Sequence, residues 1–173
     1  DKPEVDEEAL LADLMAVANE ALAGYDAMRT TEGTALDHDL RSRGARILEL
    51  VGQVEKQSPK TVSDYRARLE AKLREVLANT AIDESRILTE AAIFADKVAV
   101  DEETVRLRSH IAQYRSILEL DEPVGRKLDF LTQELNRETN TIGSKCQDLD
   151  ITRIVVDMKA EIEKIREQIQ NLE

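Results

Sequence analysis

Apolar positions recur at steps of three and four along nearly the whole chain, and no stretch reads convincingly as a strand. Leu10, Leu14, Val17, Ala21, Tyr25 and Met28 form the first stripe. Pro3 followed by Glu4, Asp6, Glu7 and Glu8 marks its start, with acids at the positive end of the helix dipole. Gly33 is expected to bend or break this run, which resumes with Leu36, Leu40, Ile47, Val51 and Val54. Ser58-Pro59 is expected to end it and to open a new helix, with Ser58 as N-cap and Pro59 in the first turn. The new helix would bury Val62, Tyr65, Leu69, Leu73, Val76 and Leu77. Two long helices meeting at a proline turn predict an antiparallel hairpin arm over residues 1–80.

Residues 81–173 read as a carboxy-terminal helical domain. Asn79 to Asp83 is a short break, and Glu84 to Val98 carries Ile87, Leu88, Ala91, Phe94 and Val98 on one face. Asp101 is placed to cap the next helix, which runs to about Leu120, and Asp121-Glu122-Pro123 makes the following turn. A further helix spans Val124 to about Lys145, and Asp148 or Asp150 caps the last one. Ile151, Val155, Met158, Ile162, Ile165, Ile169 and Leu172 then alternate steps of four and three. This 3.5-residue repeat fits either a seam within a bundle or a self-associating coil. The expected fold class is all-α: a long helical hairpin plus a bundle with a coiled-coil-like terminal helix.

Composition agrees. Hydrophobic residues reach 42% but aromatics only 3% and Trp is absent, so the core must be built from Leu, Ile, Val and Ala. So few aromatics leave little for an RNA-stacking platform. No apolar run approaches the roughly 20 residues that span a membrane, and no signal peptide opens the chain. The single cysteine, Cys146, cannot form an internal disulfide, so cytoplasm is the default location. A net charge of -12 argues against a uniformly basic nucleic-acid binder, though not against a local basic groove or carboxylates that gather cations. The chain opens on Asp1, which points to a fragment or processed product.

Three groups of residues could carry chemistry. Glu103, Arg106 and His110 lie at i, i+3 and i+7 and so share one helix face. Histidine is both a common metal ligand and an acid–base group; the alternative is a solvated face with an incidental imidazole. Glu134 and Glu138 stand one turn apart, where two carboxylates repel unless a positive group sits between them. That group is either a divalent ion such as Mg²⁺ or Mn²⁺ or a nearby cation, Arg137, Arg106 or a lysine. Glu163 and Glu167 repeat the spacing on the last helix. Asp37, His38 and Asp39 are consecutive, point in different directions on a helix and read as a solvated face. No glycine-rich phosphate loop, nucleophile elbow or zinc motif occurs.

The segments DEETVRLRSHI (Asp101 to Ile111), GRKLDFLTQELNRETNTIGSK (Gly125 to Lys145) and MKAEIEKIREQIQNLE (Met158 to Glu173) resemble the carboxy-terminal portion of the YicC family of bacterial proteins. TTEGTAL, from Thr30 to Leu36, is a weaker match. The resemblance implies an endoribonuclease that cuts RNA with a divalent metal, assembles as a ring-shaped homo-oligomer, a hexamer, and carries a further amino-terminal domain. The resemblance supplies the motifs and not the individual roles; on those motifs we assign Glu103, His110, Glu134 and Glu138 as metal or acid–base residues, with Glu163 and Glu167 as second choices for the metal. Arg106, Arg126, Arg137 and Lys145 become candidate phosphate contacts, oriented by Gln133 and Asn140. The alternative is a non-enzymatic helical scaffold or adaptor that presents RNA to another nuclease.

Overall fold

The computed structural model describes residues 6–77, 84–146, 148–170 and 172. Among them every regular element is helical: α1 (Glu7–Leu77), α2 (Glu84–Val98), α3 (Asp101–Ile117), α4 (Gly125–Lys145) and α5 (Leu149–Ile169). The chain is all-α, as its period indicates. The expected start at Pro3, the break at Asn79 to Asp83 with the domain boundary placed there, and the side chains of Val76 and Leu77 lie outside the described residues.

The proline turn is not formed. α1 is one helix of 71 residues that passes through Gly33, Ser58 and Pro59, so the turn expected to close a hairpin at Ser58-Pro59 does not form. Inside a helix, proline costs about 3 kcal/mol through a lost hydrogen bond and a clash with the preceding turn. Packing on either side of Pro59 offsets this. Val54 and Thr61 are both buried, one heptad apart, and a turn later Tyr65 stacks on Phe94 of α2 with ring centroids 3.8 Å apart. Breaking the helix at Pro59 would throw these partners out of register. Gly33 costs only about 1 kcal/mol in a helix, too little to stop it.

The contacts divide the chain into two compact units, Asp1–Asp39 and Leu40–Glu173. In the first, Leu10, Leu14, Val17, Tyr25 and Met28 of the apolar stripe are exposed, and the Arg29 guanidinium lies 5.6 Å from the Tyr25 ring centre. Amphipathic spacing shows that a helix has an apolar face; it does not show what covers it.

In the second unit Leu40, Ile47, Leu50, Val51 and Val54 of α1 are fully or almost fully buried. Tyr114 of α3 is fully buried among the core residues, its ring 3.6 Å from where a Cβ on Gly44 would stand, and its hydroxyl donates to the Leu40 carbonyl at 3.5 Å. Ion pairs tie α1 to the bundle. Arg108 of α3 clamps Glu55 with both carboxylate oxygens engaged, at 2.8 and 2.6 Å. Arg43 reaches Glu161 of α5 at 3.0 Å. Hydrogen bonding from Arg108 holds the Glu55 carboxyl below its ordinary pKa, and Lys164, seconded by Arg43, does the same for Glu161.

α2 buries Ile87, Ala91, Phe94 and Val98, but Leu88, assigned to the same face, is exposed. α3 begins at Asp101 without a side-chain cap: Val100 holds the N-cap position, and Asp101 joins Glu102 and Glu103 as acids in the first turn. The helix stops at Ile117, short of Leu120. α5 is capped by Asp148, whose Oδ1 accepts from the N–H groups of Asp150 and Ile151, both at 2.9 Å. Its heptad seam lies buried within the chain from Ile151 to Ile169. At the α4–α5 junction a Cβ on Gly143 would stand 3.1 Å from Val155 Cγ1, so glycine there permits close approach. Among the described residues, no helix is long and apolar enough to cross a membrane.

Candidate metal centre

Helix spacing puts Glu103, Arg106 and His110 on one face of α3, and Glu134, Glu138 and Lys145 on one face of α4. The contacts between the two faces run in opposite directions along the sequence. Glu103 meets Lys145 at 3.0 Å, Arg106 meets Glu138 at 2.9 Å, and one ligand atom each of His110, Glu134 and Glu138 lie within 4.8 Å of one another. α3 and α4 are thus antiparallel, and their facing polar stripes form a ladder with cations at one end and the imidazole at the other.

Arg106 is the centre of that ladder. Its Nε donates to Glu138, its Nη2 to Glu103 at 3.2 Å and its Nη1 to Glu102 at 3.2 Å. The hydrogen bond to Glu138 is the chief reason its guanidinium is pushed above its already high pKa. Glu103 and Glu138 are only 3% and 5% exposed, so their charges need such partners, whereas Arg106 itself is open to solvent on one side. Lys145, a candidate phosphate contact by resemblance, is instead engaged internally: its ammonium donates to both Glu103 and the Ala99 carbonyl at 3.0 Å.

Three atoms in this region have no partner. Both ring nitrogens of His110 and the Oε2 of Glu103 are buried and make no hydrogen bond. An imidazole with both nitrogens unsatisfied costs about 1–3 kcal/mol per group, so a missing partner is implied. A donor set of one imidazole and two carboxylates suits a divalent ion that accepts mixed nitrogen and oxygen ligands, Mn²⁺ more readily than Mg²⁺. His110, Glu134 and Glu138 form the only three-donor group of this kind among the described residues. Their residues fit such an ion. Glu163 and Glu167 are not part of it; both are exposed on α5, and Glu163 lies 3.8 Å from Arg166.

The other candidates lie on the outer face of α4. Arg126, Gln133, Arg137 and Asn140 are all exposed. Arg137 lies 3.7 Å from Glu134, Gln133 donates to Asp129 at 2.8 Å, and Asn140 lies 3.5 Å from Asn136. Phe130 continues the same stripe at steps of four and three and is 61% exposed, a position that a count of aromatics passes over. An aromatic interrupting a polar helix face was the signal for it. Cys146 caps α4, its sulfur 3.4 Å from the Gly143 carbonyl and 3.5 Å from the Thr152 hydroxyl.

The all-helical bundle brings together a part-buried His–Glu–Glu group between antiparallel helices, a candidate metal site. The family model described as "Endoribonuclease YicC-like, C-terminal" matches residues 54–173, and the chain belongs to that family. It is 45% identical over its whole length to a protein of Clostridioides difficile named "Probable endoribonuclease YicC". It is 38% identical over 98% of its length to a Haemophilus influenzae protein of the same name. The chain spans 59% and 58% of the lengths of these two relatives.

Proposed function

We propose that this chain carries the metal site of an endoribonuclease that cleaves RNA phosphodiester bonds. The observation behind the reading is the α3–α4 register, which sets His110, with both nitrogens unpartnered, against Glu134 and Glu138. The names of the relatives supply the reaction class.

In this reading His110, Glu134 and Glu138 hold Mn²⁺ or Mg²⁺. When bound, the ion supplies neutralisation of the charge that builds on the scissile phosphate. Arg106 offers a planar fork suited to two phosphate oxygens on the solvent side of the site. Glu103 and Lys145 hold Arg106 and α4 in place and keep the buried end of the ladder neutral. Arg126, Arg137, Gln133 and Asn140 form a track along α4 for the sugar–phosphate backbone, with Phe130 offering one face for a base. The protein acts as a ring-shaped homo-oligomer, a hexamer, in the cytoplasm.

The exposed apolar stripe of α1 from Leu10 to Met28 favours a second reading, a helical scaffold or adaptor that assembles through this face and carries RNA without cutting it. One experiment separates the two. Full-length protein incubated with a structured RNA is expected to cleave it in Mn²⁺ or Mg²⁺, to stop on addition of chelator, and to resume when Mn²⁺ is restored in excess. RNA binding without cleavage under every ion would favour the scaffold.

A further inference from the structure

Glu138 serves two claims at once. It is the nearly buried partner of the Arg106 Nε, at 2.9 Å, and it is one of the three donors grouped with His110. A divalent ion and a guanidinium on the same carboxylate repel each other, the more so because Glu138 is nearly buried. The neighbours determine which of them can leave. Glu103 does not depend on Arg106, because Lys145 holds the same carboxylate oxygen at 3.0 Å. Glu138 has no second cation within ion-pair distance among the described residues. Arg106, for its part, keeps Glu102 and Glu103 as anchors when it lets go of Glu138, and it is partly exposed, so its fork can turn outward without leaving the site.

We propose that Arg106 is a resident counter-ion: it neutralises Glu138 while the site lacks a cation, and it is transferred to the substrate's phosphate when a divalent ion takes Glu138. This rests on the reading of His110, Glu134 and Glu138 as the cation site. Arginine and metal thus hold Glu138 in turn. It also links metal loading to RNA affinity, because the Arg106 Nε–H is released from Glu138 only once the ion is in place. Arg106 is a substrate-binding residue in the loaded site and a competitor of the ion in the empty one.

The test is a Mn²⁺ titration of the protein without RNA, followed by electron paramagnetic resonance, on the wild type, Arg106→Met, Arg106→Lys and His110→Ala. Arg106→Met removes the competitor and is expected to bind Mn²⁺ about fivefold more tightly, the scale of one partly exposed ion pair. Arg106→Lys keeps the charge and is expected to stay within about twofold of the wild type. At saturating Mn²⁺, Arg106→Met is expected to raise KM for a short RNA by about tenfold, with a smaller fall in kcat. Arg106→Met binding Mn²⁺ no more tightly than the wild type would overturn the exchange. A Mn²⁺ affinity untouched by His110→Ala would overturn the underlying site as well, so the two failures are distinguishable without any RNA. Should Arg106→Met not fold, the wild type decides. The Arg106 Nε–H resonance, assigned by its loss in Arg106→Lys, is expected to shift as Mg²⁺ is added, and an unmoved resonance at saturation would count against the proposal.

Discussion

Glu138→Gln is expected to reduce RNA cleavage by about 100-fold or more while leaving the helical circular dichroism unchanged, and Glu134→Gln to do nearly the same. The amide keeps the size and shape of the side chain but removes the charge that a cation needs. Glu138 is the more sensitive of the two because it is nearly buried and pairs with Arg106, whereas Glu134 is half-exposed beside Arg137. Measuring initial rates over a range of Mn²⁺ concentrations separates weakened metal binding, which excess ion rescues, from lost chemistry, which it does not. Full activity in both variants at limiting Mn²⁺ would remove these carboxylates from the account.

The largest expected effect on stability comes from the other side of α3. Tyr114 is fully buried between α1 and α3, and its ring contacts the position of Gly44. Tyr114→Ala leaves a cavity that the rigid helices around it cannot close, and is expected to cost about 3–5 kcal/mol. That is a large share of the 5–15 kcal/mol typical of a folded domain. Tyr114→Phe keeps the ring and gives up the long hydroxyl bond to Leu40, so its cost is expected to be about 1 kcal/mol. Urea unfolding of the three proteins checks the ordering. A Tyr114→Ala variant as stable as Tyr114→Phe would mean that α1 does not pack on α3 as described.

Both predictions depend on features that the sequence showed unevenly. The one-face grouping of Glu103, Arg106 and His110, and that of Glu134 and Glu138, follow from helix spacing alone. Their meeting does not, because the register between two helices is set by how Leu107, Ile111, Leu131 and Leu135 pack, and no local rule encodes it. The same register turned Lys145 from a candidate phosphate contact into the partner of Glu103. Glu163 and Glu167 stand out in the sequence because i, i+4 carboxylates look alike on any helix. The neighbouring seam of Ile162, Ile165 and Ile169 faces the core, which leaves the two acids outside.

Pro59 shows the opposite failure. A strong local signal, serine before proline, was overridden by burial at Val54 and Thr61 and by the stacked Tyr65 and Phe94. The Asp148 cap and the α5 seam were legible because they depend on neighbouring residues only. The exposed stripe of Leu10 to Met28 was legible as an apolar face but not as an uncovered one.

The central claim is that His110, Glu134 and Glu138 hold one divalent cation between α3 and α4. Anomalous X-ray diffraction from crystals grown with Mn²⁺ tests it most directly. A single strong peak touching the His110 imidazole and both carboxylates is the result expected. Manganese found elsewhere on the protein, with Glu138 still paired to the Arg106 guanidinium, would contradict it.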